Sequence, residues 1–212
     1  MEERFLTVAL CKGRLAKLTM ELFGRAGISL DVLDDSRKLV FTDDDHKLRF
    51  FLAKAPDVTT YVEYGAADLG VVGEDMVLEE GRRVHEVLDL GFGKCRMCVC
   101  GPESAREKLD SGRTVRVASK YPEIARAYFR NERKQDAEII KLNGSVELGP
   151  IVSLSDVIVD IVETGGTLKE NGLGVLADIC PISARVIANP VSMQMQAQRI
   201  RGILKTLKDN LQ

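Results

Sequence analysis

The 212-residue sequence has only two histidines, His46 and His85, and an odd number of cysteines, five. So little histidine excludes a histidine-based catalytic triad and a multi-histidine metal centre. Cys11, Cys95, Cys98, Cys100 and Cys180 lack the spacing of a disulfide framework. Cys95-x-x-Cys98-x-Cys100 has no second cysteine pair or nearby histidine to complete a tetrahedral set, so it reads as a buried strand carrying small thiols. Neither charge sign is in excess: 30 basic against 32 acidic residues give a net charge of -2, which offers nucleic acid no basic field. No apolar run reaches membrane-spanning length, and the N-terminus lacks a basic region followed by an apolar one. The expectation is a cytoplasmic protein with no membrane or nucleic-acid partner. Repeats, low-complexity tracts and long polar linkers are absent too. What is present is an ordinary globular composition, 45% apolar and 29% charged, in a chain long enough to bury a substantial core.

The most informative stretch runs from Asp160 to Leu168 (DIVETGGTL). Val157, Ile158, Val159, Ile161 and Val162 are β-branched and predict a strand buried on both faces. Gly165 and Gly166 then let main-chain N–H groups converge, and Thr164 and Thr167 add hydroxyls. Thr167 and Glu170 have capping-box spacing, which places this anion cradle at a helix start. Asp160 and Glu163, just upstream, are acceptors for neighbouring hydroxyls. A phosphate site beside paired hydroxyl acceptors suits a ribose 5-phosphate; a plain tight turn with an N-cap has the same letters.

Three other places repeat the pattern of strand, polar turn and helix. Phe5 to Cys11 predicts a strand, Lys12-Gly13-Arg14 a basic turn, and Leu15, Leu18, Leu22 and Ala26 a helix stopped by Gly27. Lys47 to Ala53 predicts a strand paired across the solvated turn Asp43–His46 with another at Leu39 to Phe41. It delivers Lys54 to a helix capped by Asp57 and spanning Val58 to Tyr64. Ala67 to Val72 predicts a short buried strand leading into Gly73, Glu74 and Asp75. In open α/β sheets such turns collect ligands at the carboxyl ends of strands. Further strands are expected at Val84–Leu88, Cys95–Cys100, Val115–Ala118 and Ala137–Leu142, with one long bent strand from Gly174 to Asn189. Met193, Ala197, Ile200, Leu204 and Leu207 predict a closing helix.

Taken in order, Lys12-Gly13-Arg14-Leu15, Asp57-Val58 with Tyr61 to Asp75, Ser119-Lys120-Tyr121-Pro122, Asn143 to Glu147, and Asp160 to Leu168 resemble the ATP phosphoribosyltransferase family, and most closely its short-form catalytic subunits. The resemblance covers nearly the whole chain. It implies an α/β protein of two lobes like type II periplasmic binding proteins, with the active site in the interlobe cleft. Residues 1–92 and 184–212 would form one discontinuous lobe, and residues 93–183 the other, carrying the phosphoribosyl-binding loop. Long-form members have an additional C-terminal regulatory domain, for which this length leaves no room.

The family's reaction, the first of histidine biosynthesis, joins N1 of the adenine of ATP to C1 of phosphoribosyl pyrophosphate and needs magnesium. On that resemblance Thr164, Gly165, Gly166 and Thr167, with Leu168, hold the 5-phosphate, and Asp160 and Glu163 the ribose hydroxyls. Lys12, Arg14 and Lys54 neutralise polyphosphate or leaving pyrophosphate; Gly13, Gly73, Glu74, Asp75 and Glu147 line the substrate site. Magnesium is expected to be held mainly by substrate phosphates, with no dedicated protein site. The short form implies a regulatory subunit resembling histidyl-tRNA synthetase in a hetero-oligomer. Where the family often has arginine and proline this chain has Lys54 and Thr59, which keeps the charge and loses the bidentate fork. A cytoplasmic anionic-ligand sensor of the same fold, or a phosphoribosyltransferase for another base, would use the same turn. Asp160 beside the phosphate turn weighs against the first, and the whole-chain resemblance against the second.

Overall fold

The computed structural model describes residues 4–28 and 39–211. These fall into two compact units, one within Met1–Gly93 and Ser183–Gln212, the other Lys94–Ile182.

The first unit runs β1 (Leu6–Cys11), α1 (Arg14–Arg25), β2 (Val40–Asp43), β3 (Leu48–Ala53), α2 (Ala55–Glu63), β4 (Leu69–Gly73), α3 (Glu74–Glu80) and β5 (His85–Asp89). Its described strands make a six-stranded sheet in the order β2-β3-β1-β4-β11-β5, completed by β11 (Ala184–Ala188) after the chain returns. β1 is parallel to both β3 and β4, so all three present their carboxyl ends on one edge. β4 is buried at every residue, as a strand in mid-sheet requires. Leu10, Phe23, Phe50, Leu69 and Val186 share a core, with Phe23 and Phe50 edge to face at 5.2 Å. The buried Asp68 carboxylate ties this unit together, accepting from Arg4 at 2.6 Å, the Thr7 N–H at 2.8 Å and the Ser192 hydroxyl at 2.6 Å.

The second unit runs β6 (Cys95–Gly101), a 3₁₀ turn leading into α4 (Arg106–Asp110), β7 (Val115–Ser119), α5 (Pro122–Ala127) continued by a π-helix at Tyr128–Arg133, and β8 (Ala137–Lys141). It continues through α6 (Leu148–Ile151), β9 (Val157–Val162), α7 (Gly166–Glu170) and β10 (Gly174–Ile182). The sheet order is β10-β6-β9-β7-β8, with β7, β8 and β9 mutually parallel. Cys98 and Cys100 are fully buried in β6, and burial pushes both thiols up to about 12, which keeps them protonated and inert.

Four expectations need correction. Gly174 to Asn189 is two strands: β10 ends at Ile182, β11 begins at Ala184, and they belong to different sheets. Pro181 is tolerated because β10 is an edge strand with register shifts. The closing helical stripe is broken at Gln196 into α8 (Pro190–Met195) and α9 (Ala197–Asp209). α8 is fixed separately by the Asn189 side chain, which accepts from the Ser192 N–H. α2 starts at Ala55, so Asp57 lies in its first turn and Lys54 takes the cap position, because Pro56 suits a helix start. Finally, Thr167 and Glu170 form no capping box: α7 already begins at Gly166 and spans only five residues.

Candidate active site

In the second unit the site is built on the carboxyl end of β9. Val157, Ile158 and Val159 are fully buried between β6 and β7, which fixes the strand and presents the half-buried Asp160 at its end. The loop after β7 is pinned alongside. The Ser119 hydroxyl donates to the Val159 carbonyl at 2.6 Å and accepts from the Tyr121 N–H at 2.8 Å. Beyond Val162 the chain turns at Gly165, which has φ 77°, a left-handed conformation costly for a residue with a Cβ. The Gly166 N–H reaches Thr164 Oγ1 at 3.5 Å, and the first N–H groups of α7 have no partners within the helix. Leu168 turns inward, 7% exposed, onto Cys98, Ala118, Ile158 and Val162, so its side chain anchors the turn in the core.

The outcome is a cavity of about 320 Å³ that brings together Glu147, Asp160, Glu163, Thr164, Gly165, Gly166, Thr167 and Leu168. Burial pushes the Asp160 carboxyl up to about 6; the Ile161 N–H opposes this, Glu147 adds to it, and Lys120 opposes it. Asp160 is therefore a carboxylate at neutral pH, held there at a cost. Lys120 and the pinning Ser119 went unassigned in the sequence. The signal was available, since Ser119-Lys120-Tyr121-Pro122 was among the motifs carrying the family resemblance.

In the first unit the parallel strands β3, β1 and β4 bring three turns to one sheet edge. Cys11 pairs with Ala53, and the Lys12 N–H donates to the Ala53 carbonyl at 2.9 Å, which sets the exposed Lys12-Gly13 turn beside the exposed Lys54. Arg14 is exposed at the start of α1. Thr59, buried in α2, donates its hydroxyl to the Pro56 carbonyl at 3.0 Å. On the neighbouring strand, Gly73 leads directly into Glu74 and Asp75, the first turn of α3. A Cβ on Gly73 would lie 2.1 Å from Asp75 Oδ1, so the carboxylate occupies the space that the glycine leaves. Glu74 is not a free acceptor: Arg185 of β11 donates to it at 2.8 Å and also pairs with Asp89 at 3.0 Å. That partner lies 111 residues away in sequence.

The family model of ATP phosphoribosyltransferase, HisG, matches residues 54–209. The chain is 61% identical over 210 residues to an ATP phosphoribosyltransferase of Lachnoclostridium phytofermentans, covering 98% of both proteins. Among solved structures it is similar to the ATP phosphoribosyl transferase (HisG:HisZ) complex from Thermotoga maritima, with TM-score 0.83 and 32% identity over 98% of each chain. It also shares a fold with the periplasmic aliphatic sulphonate binding protein SsuA from Escherichia coli, at TM-score 0.61 and 15% identity, covering 99% of this chain and 73% of that one. That likeness accounts for the two α/β units, each with its own sheet. Matched by the family model over residues 54–209 and by a 61% identical relative over 98% of its length, the chain belongs to the ATP phosphoribosyltransferase family.

Proposed function

We propose that this chain joins ATP to phosphoribosyl pyrophosphate, the first step of histidine biosynthesis. The adenine N1 lone pair forms the bond to C1 of the ribose as the C1–O bond breaks, and pyrophosphate departs with the electron pair. The nucleophile already carries its lone pair, so the reaction needs alignment and charge stabilisation more than a strong base. The observation that carries the reading is the half-buried Asp160 carboxylate on the same cavity wall as the left-handed Gly165 turn.

In this reading the N–H groups of Gly165, Gly166 and Thr167 and the hydroxyls of Thr164 and Thr167 hold the 5-phosphate. Asp160 and Glu163 accept from the ribose hydroxyls, and the Asp160 charge favours positive character developing at C1. Glu147 shapes the same wall. Lys12, Arg14 and Lys54 neutralise phosphates at the ends of β1 and β3, with Gly13 allowing close approach; Gly73, Glu74 and Asp75 line the ATP side. Among the described residues no three acidic, histidine or cysteine side chains converge as a metal cage. Magnesium, which the family's reaction needs, is assigned to phosphate oxygens and water, where it would neutralise the pyrophosphate. By its likeness to the HisG:HisZ complex, the chain is assigned a separate regulatory subunit related to histidyl-tRNA synthetase, and it works in the cytoplasm.

The test is formation of phosphoribosyl-ATP by the wild-type chain and by Asp160→Ala, each with and without a HisZ-type subunit. Product from wild type that falls at least a hundredfold in the variant supports the reading. Folded protein that binds both substrates and forms no product under any condition overturns it in favour of a ligand sensor.

A further inference from the structure

A larger cavity, about 530 Å³, lies elsewhere in the second unit, walled by Arg126, Phe129, Arg130, Lys134, Gln135 and Asp136. It sits at the opposite end of the sheet from Asp160. Gln135 and Asp136 immediately precede β8, and the Val115 N–H donates to the Asp136 carbonyl at the amino ends of β7 and β8. Strands of five or six residues put roughly 15–20 Å between those ends and the phosphate turn.

Gln135 is only 6% exposed. Its Nε2 donates to the Arg113 carbonyl at 2.7 Å and the Lys108 carbonyl at 3.3 Å, which fixes which end of the amide is nitrogen. Oε1 is buried and has no hydrogen-bond partner. A buried carbonyl left unpaired is costly, and a ligand donor at this wall would satisfy it. The cations around it differ in their commitments. Arg126 is paired with Glu123, whereas Arg130 and Lys134 have no hydrogen-bond or ion-pair partner among the described residues. The π-helix ends at Lys134, whose φ of 52° finishes the turn that carries both cations to the cavity.

Arg130 and Lys134 are exposed and uncommitted and so can take an anion, the orphaned acceptor can take a hydroxyl or N–H donor, and Asp136 on the same wall disfavours a bare anion. We propose that this cavity binds a small hydroxyl-bearing phosphate monoester, with its phosphate on Arg130 and Lys134 and a hydroxyl donating to Gln135 Oε1. The volume suits such a molecule.

The experiment is an NMR titration of the ¹⁵N-labelled full chain with glycerol 3-phosphate, and in parallel with inorganic phosphate. The expected result is saturable shifts at the Gln135 side-chain amide and at backbone amides from Phe129 to Asp136. Inorganic phosphate should bind at least fivefold more weakly. The double variant Arg130→Ala, Lys134→Asn should weaken glycerol 3-phosphate at least tenfold, with spectra elsewhere unchanged; asparagine tolerates the left-handed backbone at 134. Shifts confined to Thr164–Gly166, affinity unchanged in the double variant, or equal affinity for inorganic phosphate would each overturn the proposal.

Discussion

Arg185 grips Glu74 at 2.8 Å and so joins the strand that returns to the first unit with the first turn of α3. Its guanidinium also faces Asp89 and Glu86. Arg185→Met would leave three carboxylates facing one another in a partly buried setting. It is expected to cost about 1–3 kcal/mol, measured by urea denaturation. Glu74→Gln keeps an acceptor for Arg185 and should change stability little while lowering kcat/KM for ATP. Full activity in that variant would remove Glu74 from the site.

Asp160 gives a pH signature of known sign. Its folded-state carboxyl, at about 6, lies above the ordinary value of 3.8. Ionising it therefore opposes folding. The penalty is absent below pH 4, grows as pH rises towards 6, and above that amounts to roughly 2–3 kcal/mol. Asp160→Asn should be more stable than wild type at pH 8 and nearly equal at pH 3.5. Wild-type kcat/KM for phosphoribosyl pyrophosphate should fall as pH drops through about 6. Equal urea midpoints for the two proteins at pH 8 would contradict this account.

Gly165 separates conformation from sterics. A Cβ there would meet nothing closer than Val162 Cγ1 at 3.8 Å, so the penalty of Gly165→Ala comes from φ alone. It should cost about 1–2 kcal/mol and raise KM for phosphoribosyl pyrophosphate. Gly165→Asn, which tolerates this backbone, should lose less of both. Equal losses would point to side-chain bulk instead.

Lys54→Ala should lower the single-turnover rate more than it weakens ATP binding, since the exposed ammonium is assigned to the leaving group. An unchanged single-turnover rate removes Lys54 from the catalytic set. Lys54→Arg, which restores the bidentate fork, should be at least as fast as wild type.

Two glycines, one under a helix and one exposed within a helix, should respond oppositely to alanine. A Cβ on Gly70 in β4 would lie 2.7 Å from Val62 Cγ2 and 2.9 Å from Val58 Cγ1, so α2 packs directly on its backbone. Gly70→Ala should cost about 1–3 kcal/mol by overpacking. Gly202 in α9 meets nothing within 4 Å, and Gly202→Ala should stabilise by about 0.5–1 kcal/mol. Thermal unfolding of both variants checks the contrast.

The candidate site was legible wherever its features are local. The β-branched run before Asp160, the Gly165-Gly166 pair and the Lys12-Gly13-Arg14 turn declare themselves over a few residues, and each falls at a strand's carboxyl end. What the sequence hid depends on partners far along the chain. Nothing near Glu74 announces Arg185, and nothing near Val159 announces the Ser119 hydroxyl. The break at Gln196 was hidden for a similar reason: α8 is held by Asn189 and, through Ser192, by Asp68, contacts that outweigh a continuous apolar stripe. Leu168 adjoins the turn and lines its cavity, and what its neighbours in sequence did not announce is that it also packs into the core of the second unit.

The single residue between β10 and β11 has a bearing on how the protein is made. β11 lies between β4 and β5 in the first sheet, although it follows them by about a hundred residues. As the polypeptide leaves the ribosome, β4 and β5 must wait for their shared neighbour while the whole of Lys94–Ile182 emerges. That middle segment is contiguous and can complete its own sheet first. The half bearing Lys12, Lys54 and Glu74 closes last, on a long-range strand insertion of the kind that is slow to form.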